Sequence, residues 1–144
     1  MTVVRALKSG DFEAWLPLWH GYLAFYETEL GDEVTRHTFD RLIDASTNMF
    51  GALALNDRGE AIGMVNWLTH PGTWAREDYV YLEDLFVDPK YRGAGVGRAL
   101  LNKAAEYGRE IGAEKLYWIT KEDNAQARVL YDSFVKGASS GFIQ

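Results

Sequence analysis

The stretch Val80–Leu101, VYLEDLFVDPKYRGAGVGRALL, sets the tightest limits on what this chain can fold into. Tyr79–Val87 is rich in β-formers and carries one adjacent acid pair, Glu83 and Asp84. Asp88 and Pro89 end the strand, because proline has no N–H to give a ladder. Arg92-Gly93-Ala94-Gly95-Val96-Gly97 then opens a helix of apolar periodicity. Strand, glycine-rich turn and helix start together form a place where backbone N–H groups point outward at an anion. The helix start adds roughly half a positive charge, and glycines allow close approach. A diphosphate is the expected ligand of such a cradle.

Two familiar phosphate loops do not fit. A Walker loop ends in Gly-Lys-Ser/Thr, whereas Gly97 is followed by Arg98 and Ala99. A dinucleotide-binding turn needs its third glycine three positions after the second, and Gly97 follows Gly95 by two. That fold also places its loop after the first strand, with several strands downstream. Here 79 residues precede Val80 and only 47 follow Gly97.

The rest of the chain reads as one compact domain over residues 1–144. At 47% hydrophobic it can bury one substantial core and is too short for two ordinary ones. Thr2–Leu7 is an expected strand. Ser9 and Asp11 are both candidate N-caps for a helix running to about Glu27. Trp15, Trp19, Tyr22 and Tyr26 recur at spacings of four, three and four, so they share one face of that helix. Trp15 and Trp19 are assigned to the core. Tyr22 and Tyr26, beside Glu27 and Glu29, suit an alkylammonium substrate through cation–π contact and charge pairing, or else form an ordinary solvated helix end. A second helix is expected over Val34–Asp44. Strands at Phe50–Asn56 and Ala61–Thr69 flank the hairpin turn Asp57-Arg58-Gly59. Trp74 sits in a Pro/Gly loop, either tucked back or forming a binding lip. Val96, Leu100, Ala104, Tyr107 and Ile111 make the buried stripe of the helix after the glycine turn, which Gly112 closes. Lys115–Thr120 is the next strand and Asn124–Phe134 the last helix. Ser140–Gln144 begins a final strand that stops short, to be completed by further residues or by a partner subunit.

The chain has no cysteine, which excludes disulfides, thiolate metal sites and a cysteine acyl-enzyme and agrees with a cytoplasmic setting. His20, His37 and His70 lack metal-ligand spacing, so no metal site is expected. No apolar run is long enough to span a membrane, and the opening MTVVRALKSG lacks the apolar core of a signal peptide. The formal charge of −6 argues weakly against nucleic acid and for a cationic partner. In an undisturbed strand Glu83 and Asp84 point to opposite faces, which aims one carboxylate at the core. Such a group is paired, hydrated or used. It acts as a base through water, anchors a substrate cation, or is satisfied by neighbouring N–H groups.

Arg92-x-x-Gly95-x-Gly97 resembles the pyrophosphate loop of the GNAT superfamily of N-acetyltransferases, Arg/Gln-x-x-Gly-x-Gly/Ala. The resemblance extends to the lead-in Val87-Asp88-Pro89-x-Tyr91-Arg92 and to Asn124-x-x-Ala127-x-x-x-Tyr131, and covers about residues 79 to 135. Tyr81–Val87 and Tyr91-Arg92-Gly93 are similar to the diamine acetyltransferases of spermidine-like amines and thialysine. The Trp/Tyr-rich first helix and Tyr117-Trp118 resemble a small tetrameric branch described for histones, polyamines and D-amino acids. After Tyr131 the chain departs from the relatives' Lys-x-Gly-Phe, reading Asp132-Ser133-Phe134-Val135-Lys136-Gly137-Ala138.

The resemblance implies an α/β GNAT fold, a mixed, mostly antiparallel sheet splayed at its centre with flanking helices. It implies acetyl-CoA as cosubstrate, wedged in the opening, and direct acetyl transfer to a primary amine. The backbone of Leu85, Phe86 and Val87 would hold the acetyl carbonyl and pantetheine arm, with Leu85 the oxyanion donor. Arg92, Gly93, Ala94, Gly95, Val96, Gly97 and Arg98 would hold the pyrophosphate. Asn124 would contact the cosubstrate, and Tyr131 would protonate the departing thiolate. Tyr22, Tyr26, Glu27, Glu83 and Asp84 are the candidate substrate residues, for a small-molecule or peptide amine. The neighbouring alternatives are a protein or histone lysine, a D-amino acid or an arylalkylamine; from another class, an acyl-CoA-binding regulatory module with little turnover, or a structural protein. No nucleic-acid or membrane partner is expected, and a homodimer or larger is.

Overall fold

The computed structural model describes residues 2–119, 125–136 and 142–144. Its elements follow in the order β1 (Val3–Ala6), α1 (Phe12–Phe25), α2 (Asp32–Ile43), β2 (Met49–Leu55), β3 (Ala61–His70), β4 (Tyr79–Val87), α3 (Val96–Glu110), β5 (Lys115–Tyr117) and α4 (Ala125–Lys136). The strands lie side by side in chain order. β1 to β4 pair antiparallel, and β5 joins β4 in parallel.

β2 and β3 are nearly continuous apolar runs because the sheet is covered on both faces. Alternation divides them between two cores. Ala52, Ala54, Val65 and Trp67 face one way, toward Leu100, Leu101 and Ala104 of α3. Leu53 and Met64 face the other, toward Trp15, Trp19 and Leu23 of α1 and Phe39 of α2. Trp15 and Trp19 are core residues, as their spacing predicts, and their rings stack at 5.1 Å. α1 lies unusually close to β4 because residue 21 is glycine: a Cβ there would come within 2.7 Å of the Phe86 ring. Gly59 takes φ +76° in the β2–β3 turn, closed by Gly59 N–H to Asn56 C=O at 2.9 Å.

Several expectations shift. α1 starts at Phe12, after a 3-10 turn at Ser9–Asp11, and the Asp11 side chain does not cap it. Asp11 instead accepts from the Lys8 backbone N–H at 2.7 Å and takes two hydrogen bonds from Arg5, at 2.8 and 3.0 Å. The charge-assisted, two-bond contact with the guanidinium outcompetes the cap. Ile111 is 38% exposed, because α3 ends at Glu110 and Gly112 turns the chain away at φ +70°. Trp74 is 96% exposed, so it is not tucked against the core. β5 is shorter than expected, ending at Tyr117. The tail does pair: Leu116 N–H donates to Phe142 C=O at 2.7 Å and Gln144 N–H to Leu116 C=O at 2.8 Å, with a parallel bridge between Leu116 and Ile143.

The Arg5–Asp11 pair ties β1 to the start of α1, and Arg5 hydrogen bonding, its largest cause, holds the Asp11 carboxyl below its ordinary pKa. A depressed carboxyl stabilises the fold above its unfolded pKa of about 4 and ceases to as pH falls through the folded value. Asp11→Ala is therefore expected to cost about 1–2 kcal/mol in urea unfolding at neutral pH. The difference from wild type should shrink as unfolding is repeated below about pH 4.

Candidate active site

The site begins at an irregularity in β4. Asn66 of β3 pairs with Asp84 and Trp67 with Leu82, which leaves Glu83 as an extra residue in β4. This bulge reverses the alternation. Before it, Val80 and Leu82 face α3; after it, Leu85 and Val87 do, and Phe86 turns to the α1 side. Glu83 is exposed while Asp84 is 8% exposed. One acid in and one acid out is the outcome that strand alternation predicts, but the bulge decides which.

The bulge also opens the sheet. Among the described residues β5 pairs with β4 only across Tyr79, Val80 and Tyr81, and the half of β4 beyond the bulge has no partner on that side. A strand residue points its N–H and C=O to the same side. Asp88 N–H bonds to Ile62 of β3 at 2.9 Å, and Val87 C=O accepts from the Arg92 Nε on the other side at 3.1 Å. By that parity the backbone groups of Leu85 and Val87 face the opening. Phe86, expected among them, spends its backbone on the ladder with Met64 and contributes a ring instead.

A cleft of about 440 Å³ fills the opening. Its floor is Leu85, Phe86 and Val87; one end is Arg92, Gly93, Gly95, Val96, Gly97 and Arg98; Tyr22 of α1, Tyr26 just past its end and Tyr131 of α4 close the other. Ala94 is not in its lining. Gly93 and Gly95 hold φ +85° and +83°, and a Cβ on either would meet no atom within 4 Å. These two glycines therefore serve backbone shape and leave the space above them clear. Gly97 differs: a Cβ there would approach Leu130 of α4 to 2.8 Å. The first closed bond of α3 runs from Ala99 N–H to Gly95 C=O, at 3.1 Å. The N–H groups of Val96, Gly97 and Arg98 thus lack intrahelical acceptors at the cleft wall. Arg92 lies 5.6 Å over the Phe86 ring, and Arg98 donates to the Ser133 hydroxyl. Neither arginine forms an ion pair among the described residues. This end of the cleft fits a diphosphate.

The other end carries acids and aromatic rings. A second cavity of about 260 Å³ adjoins the cleft and shares Tyr22, Tyr26, Leu85 and Tyr131 with it, adding Tyr81, Glu83 and Ile119. The Tyr22 hydroxyl donates to Glu83 C=O at 3.4 Å and lies close enough to Asp84 to feel its charge. Burial first, then Asp84, raises the Tyr22 pKa far above the ordinary phenol range. Asp84 is pushed up to about 6, by burial first and by Glu83, against the pull of the Asn66 hydrogen bond and of the Tyr22 hydroxyl. Tyr131 packs tilted against Trp118 with ring centres 4.8 Å apart, and burial pushes its pKa up to about 12. Glu27 stands apart. With φ +53° it turns the chain off α1 and lines a separate open depression with His20 and Leu23. Asn124 lies outside the described residues. Asn66, Tyr81 and Ile119 escaped the sequence reading. Asn66 was signalled as the sole polar side chain in AIGMVNWL, and Tyr81 by its i, i+2 relation to Glu83.

Residues 13–134 match the acetyltransferase (GNAT) family. The chain belongs to it. The chain is 39% identical over 130 residues to D-amino-acid N-acetyltransferase HPA3 of Saccharomyces cerevisiae, spanning 90% of this chain and 81% of that one. It is 35% identical to a thialysine N-epsilon-acetyltransferase of Caenorhabditis elegans over 51% of this chain and 46% of the other. Among solved structures, aminoglycoside N-acetyltransferase AAC(6')-Iy in complex with CoA shares the fold, with a TM-score of 0.81 at 19% identity over 97% of this chain and 89% of that one. The chain is thus an N-acetyltransferase of the GNAT fold. Among the described residues no group of His, Cys, Asp and Glu is placed to hold a metal ion, and no helix is long and apolar enough to cross a membrane.

The glycine turn makes a direct prediction. Gly95→Glu puts a carboxylate into the cradle and should abolish acetyl-CoA binding by calorimetry. Gly95→Ala carries backbone strain of about 1–2 kcal/mol without the charge, and should lose far less affinity. Wild-type affinity in the glutamate variant removes the diphosphate assignment.

Proposed function

We propose that this protein transfers an acetyl group from acetyl-CoA directly to a primary amine, within a single domain. The observation that carries this reading is the continuity of two unlike cavities. A cationic, N–H-lined cleft and an acidic, tyrosine-lined pocket share Tyr22, Tyr26, Leu85 and Tyr131 at their junction. Arg92, Gly93, Gly95, Gly97 and Arg98 hold the diphosphate end of acetyl-CoA. Leu85 and Val87 present backbone groups to the acyl arm, and Leu85 N–H polarises the thioester carbonyl as negative charge builds on its oxygen. Glu83 anchors the acceptor ammonium, and Tyr22, Tyr26 and Tyr81 offer ring faces to its chain.

An alkylammonium has a pKa near 10, so a proton must leave before the nitrogen can attack. Asp84 accepts it. Tyr131, kept protonated by burial, donates to the departing thiolate. Burial that weakens a phenol as an acid also strengthens a neighbouring thiolate as a base, so the two stay matched. Tyr131→Phe is expected to lower kcat about 10²–10⁴-fold with acetyl-CoA affinity retained. A regulatory acyl-CoA-binding module would show no turnover to lose.

The acceptor we favour is a cationic diamine or polyamine, because the acceptor pocket is lined by a carboxylate and no cation among the described residues. A D-amino acid is the second reading, supported by the likeness to the yeast D-amino-acid enzyme. Its carboxylate would stand against Glu83. Thiol release measured across spermidine, thialysine, D-amino acids, a lysine peptide and an aromatic amine separates them. Glu83→Gln should raise KM for diamines at least about tenfold; if it lowers KM for a D-amino acid, the second reading replaces the first.

A further inference from the structure

Resting on the acetyl-transfer reading, we propose that Asn66 is a positioning residue for this reaction: it holds the Asp84 carboxylate so that the acceptor's proton leaves through the Tyr22 hydroxyl. Asn66 is 3% exposed and sits opposite Asp84 only because the Glu83 bulge sets that register. Its Nδ2 donates to Asp84 Oδ2 at 3.0 Å, while its Oδ1 is buried without a partner. An amide with one orphaned oxygen is a poor choice for core stability, where an aliphatic side chain in place of both polar partners is often neutral or better. What the amide does supply is one fixed N–H to one carboxylate oxygen.

Asp84 lines neither cavity. Tyr22 lines both, donates to the carbonyl of Glu83 next to Asp84 and feels the Asp84 charge, so its hydroxyl is the bridge between the acceptor pocket and the buried acid. The groups acting on Asp84 are Asn66 from β3, Tyr22 from α1 and Glu83 from β4. Tyr81 of β4 and Tyr131 of α4 also feel its charge. None of these is a cation, so among the described residues the carboxylate has no counter-ion that would compete for the role of partner to a proton. Tyr22, with its pKa raised, cannot itself be the sink; it passes a proton on.

The steps balance as follows. The acceptor ammonium gives a proton to the Tyr22 oxygen as the Tyr22 proton moves to Asp84. The freed lone pair forms the N–C bond to the thioester carbonyl carbon, and on collapse the C–S bond breaks. Tyr131 protonates the sulfur and is reprotonated by the second proton lost from nitrogen. Asp84 returns its proton to solvent, so the products are the N-acetylated amine, free thiol and one proton.

The test is the pH profile of kcat/KM for wild type, Asn66→Leu and Tyr22→Phe, taken with two amines of different pKa. Since Asn66 draws the Asp84 pKa down, losing it should move the acidic limb to higher pH. At about pH 6 Asn66→Leu should fall about tenfold or more below its rate relative to wild type at pH 8–9, where the two converge, whereas Tyr22→Phe, which removes the relay hydroxyl, should lose rate at every pH. The limb should stay in place when the amine is changed and disappear in Asp84→Asn together with most activity. A uniform loss at every pH in Asn66→Leu, a limb that follows the amine, a limb unchanged in Asp84→Asn, or wild-type rates in Tyr22→Phe overturns the proposal. If Asn66→Leu fails to fold, Asn66→Ala reads the same limb. Turnover absent in the wild type would instead overturn acetyl transfer itself, a separate result.

Discussion

The extra residue in β4 is the constraint on which the rest of the site depends. Without a bulge at Glu83, Asp84 would share a face with Val80 and Leu82 and point into the α3 core. An unpaired carboxylate there would cost several kcal/mol and shift to its neutral form. With the bulge, the same residue turns to the α1 side, meets Asn66 across the ladder and comes within reach of Tyr22. The same half-period step aims the backbone of Leu85 and Val87 at the side that β5 leaves open. Gly21 completes the arrangement from the opposite wall. Its missing Cβ lets the Phe86 ring lie against α1, which brings Tyr22 down to β4.

Much of this was legible in the sequence, and for identifiable reasons. The glycine turn, the strand before it and the helix after it are local features: proline, positive-φ glycines and apolar periodicity each act within a few residues. β4 and the tryptophan core of α1 accordingly lie where their patterns place them. The misplacements at Asp11 and Phe86 are long-range, and that at Glu27 is a local turn. Asp11 looks like a cap until Arg5 on β1 is brought beside it. Phe86 looks like one of three equivalent backbone donors until strand parity is known. Glu27 looks adjacent to Tyr26, yet a left-handed residue at the end of α1 sends it elsewhere. Asn66 has no local signal beyond being polar in an apolar run, and its meaning comes from a register set eighteen residues away.

The three glycines of the turn illustrate why a motif is not a single physical requirement. Gly93 and Gly95 answer to backbone conformation, with open space where their side chains would be. Gly97 answers to packing, because α4 leans on α3 through Leu130 at that point. The motif thus couples the diphosphate cradle to the position of the helix that carries Tyr131. Arg98 reinforces the coupling by reaching from the cradle wall to Ser133 on α4. A substitution that moves α4 would disturb the proposed proton donor and the cradle together.

Charge is distributed along the site in a way that gives the reaction a direction. The cradle end has Arg92 and Arg98, without an ion pair among the described residues, and a helix start; the acceptor end has Glu83 exposed and Asp84 buried behind Tyr22. A polyanionic acyl carrier is attracted to one end and repelled from the other, and an ammonium experiences the reverse. Tyr131 stands at the neutral midpoint, buried enough to keep its proton. Opposite fields at the two ends would therefore seat donor and acceptor from opposite sides. In the proposed reaction the carbonyl, the nitrogen and the phenol would then meet where Leu85 is free of β5, a place that exists because one strand carries one residue too many.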